Sequence, residues 1–252
     1  MLVNGCMSKH ESLVLRGRLG FADSFVHGRL GEMVLNRIVE HAYGTEARIG
    51  KPLESALTWM RHRLLTCKPK RIDSTDLQQV FVYTDAAFEP ETSTGGLGAV
   101  LVSEAGICVA WFGIFLDSNL CEVFGSSRKD TIIYELELLS AVFVLRFWKN
   151  FAFGNLTVHF GDNDAVRFAL IKGSAQGEIG NALIYLQLEL ESELGSHLWF
   201  ARVPTECNLS DHPSRFSVHP LLKDEQCCTA EAGKEFFEFL HTFRQTIRAK
   251  QF

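Results

Sequence analysis

Four acidic residues stand where surface acids are least expected in this chain of 252 residues. Two follow short apolar runs, one lies inside a long apolar stretch, and one stands two residues before a proline: Asp85, Asp162, Glu137 and Asp211. An ionised carboxylate in apolar surroundings is costly unless a partner offsets its charge. These four positions are therefore candidates for a site that binds a positively charged ligand.

Carboxylates that converge repel one another, and a divalent cation is the usual remedy. Mg²⁺ takes oxygen ligands and keeps positions free for water and substrate phosphates. Two such ions, about 4 Å apart, can hold the attacking and leaving oxygens of a phosphodiester. That chemistry needs no Ser, Cys or His nucleophile. We therefore expect two Mg²⁺ ions, with Mn²⁺ as an alternative, bound by all four acids.

Each acid also has a purely structural interpretation. Asp85 could cap a turn, Glu137 could be a partly exposed helix acid, Asp162 could cap the next helix, and Asp211 could begin the turn before Pro213. Taken singly, the four are ambiguous, so the interpretation depends on their joint occurrence and order.

The elements that carry these acids follow the order β-β-β-α-β-α-α-β. Apolar runs bounded by turn residues predict strands at 80–83, 98–102, 107–115, 156–160 and 197–203, with a turn-prone stretch at 89–96. Longer periodic stretches predict helices at 131–148, 163–172 and 183–194. This order predicts an α/β fold with a mixed five-stranded sheet and flanking helices, in which strand ends and one helix bring the acids to one sheet edge.

Five short motifs resemble the ribonuclease H domain of retroelement reverse transcriptases, over about 140 residues. They are YTDAA at 83–87, GGLGAVL at 95–101, ELLSA at 137–141, GDN at 161–163 and NLSDHPSR at 208–215. The resemblance implies a metal-dependent endonuclease that hydrolyses the RNA strand of RNA–DNA hybrids, with Asp85, Glu137, Asp162 and Asp211 as catalytic metal ligands. It further implies a ribonuclease H-like fold and a reverse transcriptase moiety outside this chain as partner.

The chain departs from many cellular relatives at one loop. Those relatives often carry a His before the final Asp, whereas residues 202–207 here contain none. His212 follows Asp211 and is not a replacement by position. Two alternative functions therefore stay open: a catalytically decayed nucleic-acid-binding module, and a nuclease or exonuclease of the same superfamily.

Two of the four acids have neighbours that compete for the same role. Glu135 lies two residues before Glu137, and such residues point about 200° apart on a helix, so only one can face the metals. The ELLSA motif selects Glu137. Asp164 competes with Asp162, but it stands where the next helix begins and is expected to open that helix.

Composition divides the chain into three predicted parts: a helical appendage at 1–76, the ribonuclease H-like domain at 77–218, and a C-terminal helix at 219–252 that packs on the body. Residues 1–72 hold 12 Lys and Arg against 6 Asp and Glu, and residues 73–252 hold 13 against 24. The appendage, with helices expected at 25–43 and 53–65, vaguely resembles a reverse-transcriptase connection segment. We expect its basic excess to aid substrate binding. No Y-x-D-D polymerase motif is present.

Cysteine use and hydropathy indicate the compartment. The seven cysteines form no C-x-x-C pair, which favours free thiols in a reducing environment. No apolar run is long enough to span a bilayer, and the first 15 residues lack the pattern of a secretory signal. We therefore expect an intracellular protein, cytoplasmic or nuclear, with nucleic acid rather than a membrane as its partner.

Overall fold

The computed structural model describes residues 5–26, 28–67, 77–125, 131–152, 155–194 and 197–249. Contacts divide the chain into two compact units, Met1–Thr75 and Asp76–Phe252. The breaker residues that predict a boundary, at 68–76, lie outside the described residues.

The first unit contains three helices, α1 (Lys9–Asp23), α2 (Gly31–Tyr43) and α3 (Lys51–Thr66). Ser8 caps α1 through a reciprocal pair of hydrogen bonds with Glu11, in which each side chain accepts from the other residue's backbone N–H. Apolar side chains of all three helices and the segment before them form the core: Met7, Leu15, Leu19, Val34, Leu35, Ile38, Leu53 and Met60.

The first unit differs from the prediction in its first two helices. Helix α1 lies in the segment predicted to be helical but has no counterpart among the two bounded helices, because its buried positions include Ser12 and Asp23 rather than a clear apolar stripe. The helix expected at 25–43 begins only at Gly31, where a Cβ atom would overlap the Asp23 carboxylate. That carboxylate accepts a hydrogen bond from Arg63 Nε at 2.7 Å, so a buried ion pair joins α1 to α3.

The second unit is built on one mixed sheet. Its strands are β1 (Gln79–Glu89), β2 (Thr94–Ser103), β3 (Cys108–Leu116), β4 (Leu156–Gly161) and β5 (His197–Arg202), in the spatial order β3-β2-β1-β4-β5. Neighbours among β1, β2 and β3 pair antiparallel, while β4 pairs parallel with both β1 and β5. The predicted α/β fold with a mixed five-stranded sheet and flanking helices is confirmed.

Helices cover this sheet. They are α4 (Ser118–Glu122), α5 (Ile133–Phe147), α6 (Lys149–Ala152), α7 (Asp164–Lys172), α8 (Gly177–Leu194), α9 (Asp211–Ser214) and α10 (Thr229–Ala249). Helix α5 is buried on most sides because it contacts the sheet as well as α8 and α10. Phe143 in its middle packs against Phe112 of β3 and against Phe236 and Phe239 of α10. Among the described helices, none is both long and apolar enough to cross a membrane.

Strand β1 is longer than predicted, which changes the setting of Asp85. The parallel pairing with β4 ends at Tyr83 and Phe160, but the antiparallel pairing with β2 continues to Glu89 and Thr94. The turn expected at 89–96 is confined to the four residues between the two strands. Asp85 therefore lies within β1, just beyond the last residue paired with β4, rather than after the strand.

Candidate active site

Asp85 is the innermost of the four predicted site residues, with only 7% of its surface exposed. Its Oδ2 accepts a hydrogen bond of 2.6 Å from the hydroxyl of Ser214. Burial raises the pKa of Asp85 to about 6. The Ser214 hydrogen bond acts in the opposite direction, and the negative charges of Asp162 and Asp211 raise the pKa further.

Glu137 projects from the first half of α5 and is also largely withdrawn from water. Burial raises the pKa of its carboxyl to about 8, and the charges of Asp85 and Asp162 add to this rise. The Asn163 side chain offsets part of it, because its Nδ2 donates to Glu137 Oε1 at 3.2 Å. A carboxylate in this position favours either a proton or a cation.

Asp162 and Asp211 are more open to solvent than Asp85. Asp162 follows β4 directly, and the next residue, Asn163, caps α7 by accepting from the backbone N–H groups of Ala165 and Val166. Asp211 opens the short helix α9, and its Oδ1 accepts a hydrogen bond of 3.0 Å from Arg215 Nε.

The structure brings the four predicted acids into one electrostatic group. The charges of Asp162 and Asp211 act on Asp85, and those of Asp85 and Asp162 act on Glu137. One side chain also joins two of the segments directly, because the Ser214 hydroxyl contacts both the Asp85 carboxylate and the Asp211 carbonyl oxygen. The acids thus come from β1, α5, the end of β4 and α9, and Asp85 interacts electrostatically with the other three.

The segment that carries Asp211 lies directly on the backbone of β2 and β3. This close approach needs glycine, because a Cβ atom at Gly96, Gly98 or Gly113 would overlap backbone atoms of the segment 210–214. Gly98 is also the β2 partner of Asp85. The buried Asn208 fixes the start of the segment, since its Nδ2 donates to the Thr84 carbonyl at 3.1 Å.

Sequence reasoning did not assign roles to these supporting residues. The glycine-rich motif at 95–101 contributes to the motif resemblance, and glycine inside a strand also often marks the close approach of another backbone. The Ser214 and Asn163 contacts depend on tertiary geometry, so nothing in the local sequence predicts them. Gly113 stands in the middle of an apolar strand, and this pattern in the sequence indicates a close backbone approach at that position.

The two competing acids occupy different surroundings. Glu135 is only 4% exposed and lies about 200° around α5 from Glu137, in the protein interior. Asp164 is the first residue of α7 and forms ion pairs with Arg167 at 2.8 Å and Arg202 at 3.7 Å. These pairs occupy both oxygens of Asp164, which agrees with a structural role at the start of the helix.

His159 lies close behind the acids but does not belong to their cluster. Its Nε2 lies 2.7 Å from the Thr84 hydroxyl, and burial lowers the pKa of the ring to about 4. The ring is therefore neutral at physiological pH and serves packing. His212 contacts Ser217 and the ring of His219 instead of turning toward Asp211.

The chemistry of the four carboxylates suits a hard divalent cation. Four carboxylates supply oxygen ligands and a surplus of negative charge, and burial together with neighbouring negative charges raises the pKa values of two of them, Asp85 and Glu137. Within the part of the chain that the structure describes, however, no three His, Cys, Asp or Glu side chains are close enough to enclose an ion as they stand. Ser214, Asn163 and Arg215 each donate a hydrogen bond to one carboxylate, so binding of an ion would require these side chains to rearrange.

Comparisons with known proteins find similarity in three-dimensional structure alone. No family model and no curated protein matches the chain. The chain is similar to the ribonuclease H1 of Halobacterium salinarum, with 21% identity, a TM-score of 0.45, and coverage of 54% of this chain and 95% of that one. It is also similar to the N-terminal RNase H domain of a Mycobacterium tuberculosis protein, with 13% identity, a TM-score of 0.42, and coverage of 56% and 93%. A third similar structure is a ribonuclease H1 isolated from compost, in complex with an RNA/DNA hybrid, with 15% identity, a TM-score of 0.40, and coverage of 55% and 96%.

Proposed function

We propose that the second unit is a metal-dependent endonuclease that hydrolyses the RNA strand of RNA–DNA hybrids. The observation that supports this proposal is the electrostatic interaction among the four acids beside the central strand, two of which, Asp85 and Glu137, are largely buried. A fold that stabilised only itself would gain by replacing such groups with neutral ones. Their burial beside a well-packed core therefore favours a cationic ligand.

Each residue has a definite task in this proposal. Asp85, Glu137, Asp162 and Asp211 hold two Mg²⁺ ions, and Mn²⁺ can replace them. When bound, the ions polarise the phosphodiester and activate the attacking water. Asn163 orients the Glu137 carboxylate through the hydrogen bond that its side chain donates. Asn208 and the three glycines hold the Asp211 segment against the sheet, so the ligands keep their spacing.

The choice of an RNA–DNA hybrid and of a retroelement origin rests on the motif resemblance. The chemistry of four carboxylates suits phosphodiester hydrolysis in general, and hybrid recognition depends on shape and 2′-hydroxyl contacts. We further propose that residues 1–76 form the predicted helical appendage, whose basic excess aids hybrid binding, and that a reverse transcriptase moiety outside this chain is the partner.

The second candidate function is a nucleic-acid-binding module without catalysis. One observation favours it: in the described residues the acids do not enclose an ion, and three of them accept hydrogen bonds from protein donors. Under this alternative the protein binds hybrids equally well with and without Mg²⁺. An active nuclease binds Mg²⁺ and needs it for cleavage.

A cleavage assay with two matched variants tests the proposal. The substrate is an end-labelled RNA–DNA hybrid, compared with double-stranded DNA and double-stranded RNA of the same sequence. We expect Mg²⁺-dependent internal cuts in the RNA of the hybrid by the wild type and by Asp164→Asn, and none by Asp162→Asn. Equal cleavage by Asp162→Asn, or cleavage in excess chelator, contradicts the two-metal mechanism, and cuts from an RNA end indicate an exonuclease.

A further inference from the structure

Arg215 stands out because, within the described residues, it is a cation in an ion pair with a predicted metal ligand, Asp211. It follows helix α9 and donates from Nε to Asp211 Oδ1 at 3.0 Å. The charges of Asp85 and Asp162 also act favourably on this guanidinium. Arg215 therefore supplies positive charge to three of the four acids at once.

Hydrogen bonds and packing hold the backbone around Arg215, while its side chain is largely exposed. The Arg215 and Ser217 backbone N–H groups both donate to the His212 carbonyl, at 3.1 and 2.9 Å. Between them, Phe216 adopts φ +58, a left-handed conformation that is uncommon outside glycine, and its ring packs against Phe115 with 5.5 Å between centroids. Packing thus holds a strained turn that aims Arg215 at the acids.

The Arg215–Asp211 ion pair is exposed enough for Asp211 to exchange Arg215 for another cation. The Arg215 side chain is 62% exposed and that of Asp211 is 31% exposed. Exposed pairs of this kind stabilise proteins little, because water screens them and both side chains lose freedom. A divalent ion shared with neighbouring carboxylates is a stronger partner for Asp211 than one guanidinium.

We propose that Arg215 is a built-in counter-ion of the acid cluster, which releases Asp211 when divalent ions bind and then contacts a backbone phosphate of the nucleic acid. The planar guanidinium matches the geometry of a phosphate, and once the acids are neutralised nothing in the cluster retains it. This inference rests on the proposed function, because it assumes that divalent ions occupy the four acids.

The first test measures metal affinity by calorimetric titration of the full chain with Mg²⁺. Arg215→Ala removes the competing cation, so we expect it to bind Mg²⁺ about two- to fivefold more tightly than the wild type, the range that corresponds to an exposed ion pair. Arg202→Ala is the matched control, because Arg202 is equally exposed at 62% and pairs with Asp164 instead. A purely structural role predicts weaker metal binding in Arg215→Ala.

The second test measures binding of a hybrid in Ca²⁺, which occupies oxygen sites but positions the attacking water poorly. We expect Arg215→Ala to bind the hybrid more weakly and to lower the slope of log affinity against log salt by about one, as for one lost phosphate contact. Arg215→Lys, which keeps the charge but loses the planar fork, should retain the slope.

The two readouts separate the possible failures. Unchanged or weaker Mg²⁺ binding in Arg215→Ala overturns the counter-ion role, while unchanged hybrid affinity and salt slope overturn the phosphate contact. If the wild type itself binds no Mg²⁺, the proposed function fails and the inference falls with it.

Discussion

Replacing Glu137 by Gln should stabilise the metal-free protein at neutral and alkaline pH. Burial raises the pKa of this carboxyl from 4.5 to about 8. Because the folded pKa lies above the unfolded one, the unfolded state holds fewer protons between these values. The contribution of Glu137 to stability is therefore present below about pH 4.5 and is lost as the pH rises towards about 8.

The expected size follows from the same rise in pKa. Ionised Glu137 costs at most about 5 kcal/mol in the folded protein. Water and neighbouring dipoles relax around a carboxylate near an open edge, so we expect Gln to gain about 2 kcal/mol above pH 8 and almost nothing below pH 4.5. The Gln side chain keeps an oxygen that can accept the hydrogen bond from Asn163 Nδ2.

Urea unfolding in chelator at pH 5, 7 and 9, followed by fluorescence, measures this gain. Glu104→Gln serves as the control, because Glu104 lies exposed in the turn between β2 and β3 and meets water in both states. Saturating Mg²⁺ should reverse the ranking, since the ion stabilises only the protein that binds it well. A gain that is independent of pH, or a loss of stability at pH 9, refutes the assignment of Glu137 as an uncompensated site acid.

Three further substitutions and titrations test the surroundings of the site and the first unit. Gly98→Ala should lower the free energy of unfolding in urea by about 2 kcal/mol, because its Cβ overlaps the backbone of the Asp211 segment. The control Gly233→Ala, in open space on α10, should instead raise it by up to about 1 kcal/mol. Equal effects of the two substitutions would show that the Asp211 segment can move away. The His159 ring should stay neutral down to about pH 4 in an NMR titration, so unfolding free energy falls as the pH drops from 6.5 towards 4, and a ring that titrates near 6.5 is not buried. Arg63→Ala should destabilise the first unit by about 3–5 kcal/mol by leaving Asp23 buried without its 2.7 Å partner, whereas a loss below about 1 kcal/mol would mean that water screens the pair.

The sheet could be predicted because its strands are short apolar runs between turn residues, and this local pattern does not depend on distant contacts. The limits of β1 and β2 could not, since both strands extend as far as their antiparallel partners allow and not only as far as the apolar run. The bounds of helix α1 could not be predicted either, because one of its buried side chains depends on a distant partner. Its buried Asp23 is stabilised by Arg63, which lies 40 residues away in sequence.

The four acids could be singled out because an ionised carboxylate beside an apolar run lowers the stability of the fold unless a partner offsets its charge. Their protein partners could not be, because the hydrogen bond from Ser214 to Asp85 joins residues 129 positions apart. The ion pair of Asp211 with Arg215 is different, because the two residues have the i, i+4 spacing that favours such a pair on a helix. Such contacts decide whether the carboxylates are free to bind a cation, so the sequence singles out the four acids but does not predict how their side chains are held in the structure.

Anomalous scattering from crystals grown or soaked with Mn²⁺ tests most directly whether the four acids form a two-metal site. We predict two Mn²⁺ peaks about 4 Å apart, ligated by Asp85, Glu137, Asp162 and Asp211, with the Arg215 guanidinium no longer bonded to Asp211. The same experiment on Asp162→Asn should lose at least one peak. Crystals of the wild type that show no Mn²⁺ among these carboxylates, while Arg215 still binds Asp211, would contradict the account.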